Sequence, residues 1–242
     1  MSCRDRSKLE ILYATMDVHQ SLSEMLRWSH HALGLVTVKP HANTPEDNDG
    51  VVGSYQYLYE GSECEFLAFI HDDVICREQG WDERVLAEFE NPAVGVVGFG
   101  GAKWHGTSDL YKTPYRLDQL RRGDYMSNVD DAEVHGARFT ESTEVSVCDG
   151  FALVVRRDLL AQCDGWRGLA SGCDFFCYDY ALCAMARRLG YRIRCVGIRC
   201  HHLGGRTSVH LPDSEITSQA AYDRSHRWFY ETYRDVMPAR VP

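Results

Sequence analysis

The sequence predicts an α/β domain, a mostly parallel sheet with helices packed on both faces. Three observations carry this prediction. Short apolar, β-branched runs alternate with stretches of helical period along most of the chain. Clusters of Asp or His stand where two of the strands stop, at the strand ends where open α/β sheets bind ligands. The 242 residues, 44% apolar and 25% charged with 20 Gly and 7 Pro, are enough for one large core.

Residues 9–14 are β-branched and aromatic and read as the first strand. Leu22, Met25, Leu26 and His30 share one face of a helix over 21–33, with Ser21 or Ser23 as its N-cap. A second short strand over 35–39 leads into a loop, 40–50, rich in Asn, Asp and Pro. Residues 51–59 read as a helix and 65–70 as the strongest strand of the chain, which stops abruptly at His71-Asp72-Asp73. A helix over 81–89 and a buried strand over 94–99 complete the first half.

Residues 100–146 are polar, rich in Tyr, Arg and Asp, and weakly periodic; 117–122 is their only helical fragment. A long irregular insertion of this kind suits a functional element. Residues 145–155 are strand-like but interrupted by Asp149-Gly150, where Gly marks a bulge or a close approach. A helix over 176–189 is closed by Gly190, and a strand over 191–198 runs into His201-His202-Leu203-Gly204-Gly205. The tail from 214 is helical in pattern, with Trp228, Phe229, Tyr230 and Tyr233, and no internal repeat is visible.

Lys and Arg number 26 against 35 Asp and Glu, a net charge of −9, so no diffuse basic field exists to hold a nucleic-acid backbone. No apolar run approaches the ~20 residues that span a bilayer, and the first residues lack a signal-peptide pattern. A cytoplasmic protein is the expectation. The ten cysteines show no paired CxxC and read as reduced thiols; Cys173 and Cys177 alone have a spacing that could serve a metal.

Four features bear on chemistry. Asp72 and Asp73, adjacent acids at a strand end, either share a divalent cation or cap a helix with one acid to spare. His201 and His202 end another strand, and Gly204-Gly205-Arg206-Thr207 after them offers amide donors and a cation for phosphate oxygens. Asp179, in the first turn of its helix, is either a general base or an acid that favours the helix dipole. Asp149-Gly150 is the fourth.

The strand with His71-Asp72-Asp73, the segment 147–158 (VCDGFALVVRRD), the helix from Phe176 through Asp179 to Gly190-Tyr191, and the closing His-His-x-Gly-Gly resemble GT-A-fold glycosyltransferases of the family-2-like type. The likeness runs from about Leu9 to Thr207. It implies a Rossmann-like single domain: a nucleotide-sugar-binding half over 9–100, an acceptor-side insertion over 101–146, a catalytic half over 147–210 and a helical tail over 211–242. It also implies Mn2+ or Mg2+ held against a diphosphate by the family's DxD motif. By position Asp73 is then the metal ligand, Asp72 contacts metal, ribose or sugar, and His202, or else His201, is the C-terminal metal-binding His. Asp179 matches the family's catalytic base, Asp149 the sugar- or acceptor-facing position, Thr15 and Asp17 the positions that read base and ribose, and Arg206 assists the phosphates.

This chain departs from the pattern at three places. His71 stands for the first Asp of DxD, as in a His-x-Asp branch, Gln56 for a frequent Asn, and Tyr178 for the Glu that often precedes the base. The expected reaction is transfer of a sugar from a UDP-, GDP- or dTDP-sugar, UDP- foremost, to an acceptor hydroxyl with inversion. Trp104, Tyr111, Tyr115 and Tyr125 either suit an acceptor site or pack the segment down. The acceptor is a saccharide, a lipid-linked or small molecule, or less readily a nucleic acid held near Arg116, Arg121 and Arg122. The rivals are a metal-dependent nucleotidyltransferase, whose Gly-rich loop is missing after the first strand, and a non-catalytic nucleotide-sugar-binding module. A homo-oligomer is compatible with the aromatic tail.

Overall fold

The computed structural model describes residues 7–44, 48–105, 125–130, 137–173, 175–204, 217–237 and 239–241. The elements follow in chain order: β1 Leu9–Thr15, α1 Val18–His31, β2 Val36–Ala42, α2 Gly50–Glu60, β3 Phe66–Ile70, β4 Val74–Cys76, α3 Trp81–Phe89 and β5 Val94–Gly98. Then come β6 Gly100–Ala102, β7 Trp104–His105, β8 Tyr125–Ser127, β9 Ala137–Arg138, β10 Ser142–Glu144, β11 Val147–Cys148 and β12 Ala152–Arg156. The last are α4 Arg157–Ala161, α5 Gly165–Leu169, α6 Tyr178–Arg188, β13 Arg192–Val196, β14 Cys200–His202, α7 Gln219–Thr232 and β15 Ala239–Arg240.

Seven strands form the central sheet in the order β10-β13-β5-β12-β3-β1-β2. Five of them run in one direction; β12, antiparallel to both β3 and β5, and the edge strand β10 oppose them. Alternation along the strands divides the core between the two faces. Phe66, Ala68 and Ile70 of β3 join Met25 and Trp28 of α1 and Trp81 and Val85 of α3. Leu67 and Phe69 join Tyr55 and Leu58 of α2, Trp166 of α5, Leu182 of α6 and Phe229 of α7. Both faces are thus covered by helices, as the sequence predicts.

Several local expectations are corrected. Helix α1 is capped by Asp17, whose carboxylate takes the amides of His19 and Gln20 at 3.0 Å each, and not by Ser21 or Ser23. Ser21 lies inside the first turn, where its hydroxyl bonds the Asp17 carbonyl at 2.9 Å. Strand β2 continues through Pro40 to Ala42; it is an edge strand, hydrogen-bonded only to β1, and tolerates a residue without an amide proton. The short helices α4 and α5, five residues each, carry too little periodicity to be read in advance.

The segment expected to be an insertion does not stand apart from the sheet. Its strands β6 and β8, with β9 and β11, make a four-stranded sheet, and β10 returns to form the edge of the central one. The helical fragment expected at 117–122 lies outside the described residues, as do Tyr111, Tyr115, Arg116, Arg121 and Arg122. Among the described residues no helix is long and apolar enough to cross a membrane.

Candidate active site

The site assembles at the carboxyl ends of β1 and β3, where β1 turns one way to β2 and the chain order reverses to β3. Thr15, the last residue of β1, donates its hydroxyl to Asp72 Oδ2 at 2.6 Å and so fixes one acid of the pair. After Ile70 the chain makes a tight turn: the His71 amide bonds the Phe151 carbonyl at 2.9 Å, and the Val74 amide bonds the His71 carbonyl at 3.2 Å. The turn folds Asp73 inward, where it is 6% exposed.

The turn leads into β4, and β4 pairs antiparallel with β14, so that His202 stands opposite Val74. The Leu203 amide bonds the Asp73 carbonyl at 3.0 Å, and His202 Nε2 lies 3.4 Å from Asp73 Oδ1. His71, Asp73 and His202 can each point one ligand atom to within 4.8 Å of the others. The Phe151 ring stacks on His202 at 5.4 Å. Burial pushes the His71 pKa down, against the pull of Asp73, which favours the neutral imidazole, the form a metal requires.

Asp179 approaches from the next element. Cys177, in the left-handed region at φ 66, starts α6. The Asp179 carboxylate then accepts the Gly150 amide at 3.0 Å and the Tyr180 amide at 2.9 Å. Burial, and next the charge of Asp149, push its pKa well above the ordinary carboxylate range, and the two amide bonds only partly offset this. Asp149 is itself held by the Tyr125 hydroxyl at 3.0 Å. The Tyr178 hydroxyl, 2.7 Å from His71 Nε2 and 3.2 Å from the Gly150 carbonyl, links the peptide that binds Asp179 to the His-Asp-His cluster.

Two imidazoles and a carboxylate are a mixed nitrogen and oxygen set, suited to a divalent cation that keeps open positions for oxygens of a bound ligand. The buried carboxylate of Asp73 beside two imidazoles points to the same use. The residues present fit the metal that the sequence implies.

The other expected residues fall into place differently. His201 lies outside the cluster: alternation along β14 separates it from its neighbour, and its Nδ1 meets the Asp130 carbonyl. Asp17 is occupied as the α1 cap, and Asp72 is not a member of the cluster. Trp104 pairs with Arg240 in a two-stranded sheet. Gln56 packs against the start of α5, taking the Arg167 amide at 3.1 Å. Arg206 lies outside the described residues. The candidate ligand that sequence reasoning missed is His71. Its signal was the His-x-Asp spacing at the strand end, set aside there as a departure.

This sheet, with an acid–histidine cluster at its switch point and a carboxylate at a helix start beside it, has the arrangement expected of a GT-A fold, and its likeness to solved structures agrees. The chain belongs to the family described as "Glycosyltransferase like family", whose model matches residues 45–233. TarS of S. aureus, residues 1–349 in complex with UDP-GlcNAc, aligns at a TM-score of 0.58 and 11% identity over 98% of this chain and 68% of that one. The mannosyltransferase PcManGT from Pyrobaculum calidifontis, in complex with GDP-Man and Mn2+, aligns at 0.51 and 12% identity over 93% of this chain and 70% of that one. A further structure of S. aureus TarS aligns at 0.53 and 12% identity over 97% of this chain, but this chain spans only 44% of it. These likenesses are of fold. No curated protein sequence matches the chain significantly.

Proposed function

We propose that the protein transfers a sugar from a nucleoside-diphosphate sugar to an acceptor hydroxyl, with inversion, using Asp179 as the base. One observation carries the reading: the Tyr178 hydroxyl bonds His71 and the Gly150 carbonyl, and the Gly150 amide bonds Asp179, which links Asp179 to the His71–Asp73–His202 cluster. His71, Asp73 and His202 would hold a divalent cation, Mn2+ or Mg2+. Bound there, it would supply Lewis-acid stabilisation of the charge that grows on the departing diphosphate.

The chain's own groups do the rest. Thr15 orients Asp72 at the strand end, where ribose or the donor sugar would lie. Tyr125 holds the Asp149 carboxylate, which would face the sugar or the acceptor. Asp179, whose raised pKa makes it a stronger proton acceptor than an ordinary carboxylate, takes the acceptor hydroxyl's proton as that oxygen attacks the anomeric carbon. The acceptor would lie on the side of β6, whose Gly100 carbonyl takes the Asp149 amide at 2.9 Å. PcManGT was crystallised with GDP-Man and TarS with UDP-GlcNAc, so both nucleotides belong in the test, with UDP-sugars first.

The test is thermal stability against UDP-, GDP- and dTDP-sugars with and without Mn2+, followed by turnover of whichever donor binds. A shift that needs one nucleotide and the metal together is expected, and NMR of the product should show the inverted anomer. Asp179→Asn is expected to keep that shift and lose transfer by at least about 100-fold, the lower end of a general base's contribution. Transfer by Asp179→Asn at the wild-type rate would remove the base from this reading.

A further inference from the structure

We propose that Tyr178 is a positioning residue of the metal site: its hydroxyl sets the tautomer of His71, so that His71 offers Nδ1 to the cation. The inference rests on the metal reading given above. The Tyr178 hydroxyl bonds His71 Nε2 at 2.7 Å and the Gly150 carbonyl at 3.2 Å, and the Tyr55 side chain is a further hydrogen-bond neighbour. A phenol has one proton and a carbonyl has none to give. With the Tyr178 proton given to the Gly150 carbonyl, its oxygen is open to accept, and His71 Nε2 is then the donor. A neutral imidazole with its proton on Nε2 keeps its lone pair on Nδ1. That nitrogen is then the one His71 can give to a metal, and the hydrogen bond at the other nitrogen holds the ring in place.

Tyr178 is well fixed for this task. It is 5% exposed and lies edge-on to Tyr55 at 5.8 Å and near Trp166 at 6.0 Å. Position 150 is small because the hydroxyl needs the space: a Cβ on Gly150 would overlap Tyr178 Oη. Two departures in the sequence, His71 for an acid and Tyr178 for an acid, thus prove to be one contact. A ligand histidine has come with a hydroxyl partner that orients it.

The experiment uses the full chain without donor. Mn2+ affinity is read from the free-ion EPR signal, and the His71 tautomer in metal-free protein from long-range 15N–1H NMR. Wild type is expected to bind Mn2+ and to show the Nε2–H form. Tyr178→Phe keeps the ring and its packing; it should bind Mn2+ about 10- to 100-fold more weakly and lose the single tautomer. Gly150→Ala, which displaces the hydroxyl without removing it, should move both readouts in the same direction, so the inference does not depend on one variant folding. Unchanged affinity and tautomer in Tyr178→Phe, or an Nδ1–H form in wild type, would overturn the role of Tyr178. Wild type that binds no Mn2+ would overturn the metal reading itself and this inference with it.

Discussion

Asp179 works against the stability of the protein that carries it. Its pKa is raised by burial and by Asp149, so the folded state prefers the protonated form. The stability that goes with this proton is fully present below the ordinary carboxylate pKa of 3.8 and is lost as pH rises through the raised folded value. Asp179→Asn mimics the protonated group, so in EDTA its melting temperature should exceed that of wild type by a margin that widens with pH above about 4. A constant margin across that range would show that Asp179 is not perturbed. The same proton sets the activity profile: transfer should rise with pH until Asp179 is ionised, later than an unperturbed carboxylate would allow.

At the scale of elements, α1 and β4 hold the turn that carries Asp73. Trp28 of α1 is fully buried, donates its indole N–H to the Val74 carbonyl at 2.9 Å and receives that of Trp81 on its own carbonyl at 2.7 Å. Trp28→Phe leaves the Val74 carbonyl without this donor and a void beside Phe99. It should cost about 1–3 kcal/mol of stability by urea denaturation and weaken Mn2+ binding as β4 shifts. Helix α6 ends as its sequence says it should, with Gly190 in the left-handed region at φ 84 and nothing near its absent Cβ. Gly190→Ala tests backbone strain alone there, and a loss of about 1 kcal/mol is expected. On the other face α7 packs Phe229 and His226 toward Tyr180 and His105.

Those two histidines act on the whole molecule. Burial holds the pKa of His105 well below the usual 6.5 and lowers that of His226, with Arg187 adding to the effect at His105. The unfolded chain therefore binds more protons than the folded one in mild acid. The stability from these neutral rings is present above about pH 6.5 and falls as pH drops below it. His105→Phe should flatten the dependence of the urea midpoint on pH between about 7 and 5. A divalent ion acts in the other direction: at 100 times its Kd, Mn2+ should add about 2.7 kcal/mol to stability, an increment that EDTA removes.

Much of this fold was legible in the chain. The run from Phe66 to Ile70 could only be a buried strand, and Trp81 to Phe89 was bounded correctly, because local periodicity and burial agree there. Asp73, His202 and Asp179 were also named, but by their position in the family's pattern, because the residues alone left a helix cap, a structural His pair and a dipole-favouring acid open as well. Choosing between adjacent residues needed the tertiary structure. Which of His201 and His202 faces Asp73 depends on the register of β14 against β4, and those strands lie more than 120 residues apart. That Asp17 caps a helix, that Thr15 ties down Asp72, and that His71 and Tyr178 meet across 107 residues are facts of packing. A sequence records which chemistry a chain carries and the local element that bears it. Long-range strand pairing decides which of those groups face one another, because one step of register turns a side chain to the opposite face.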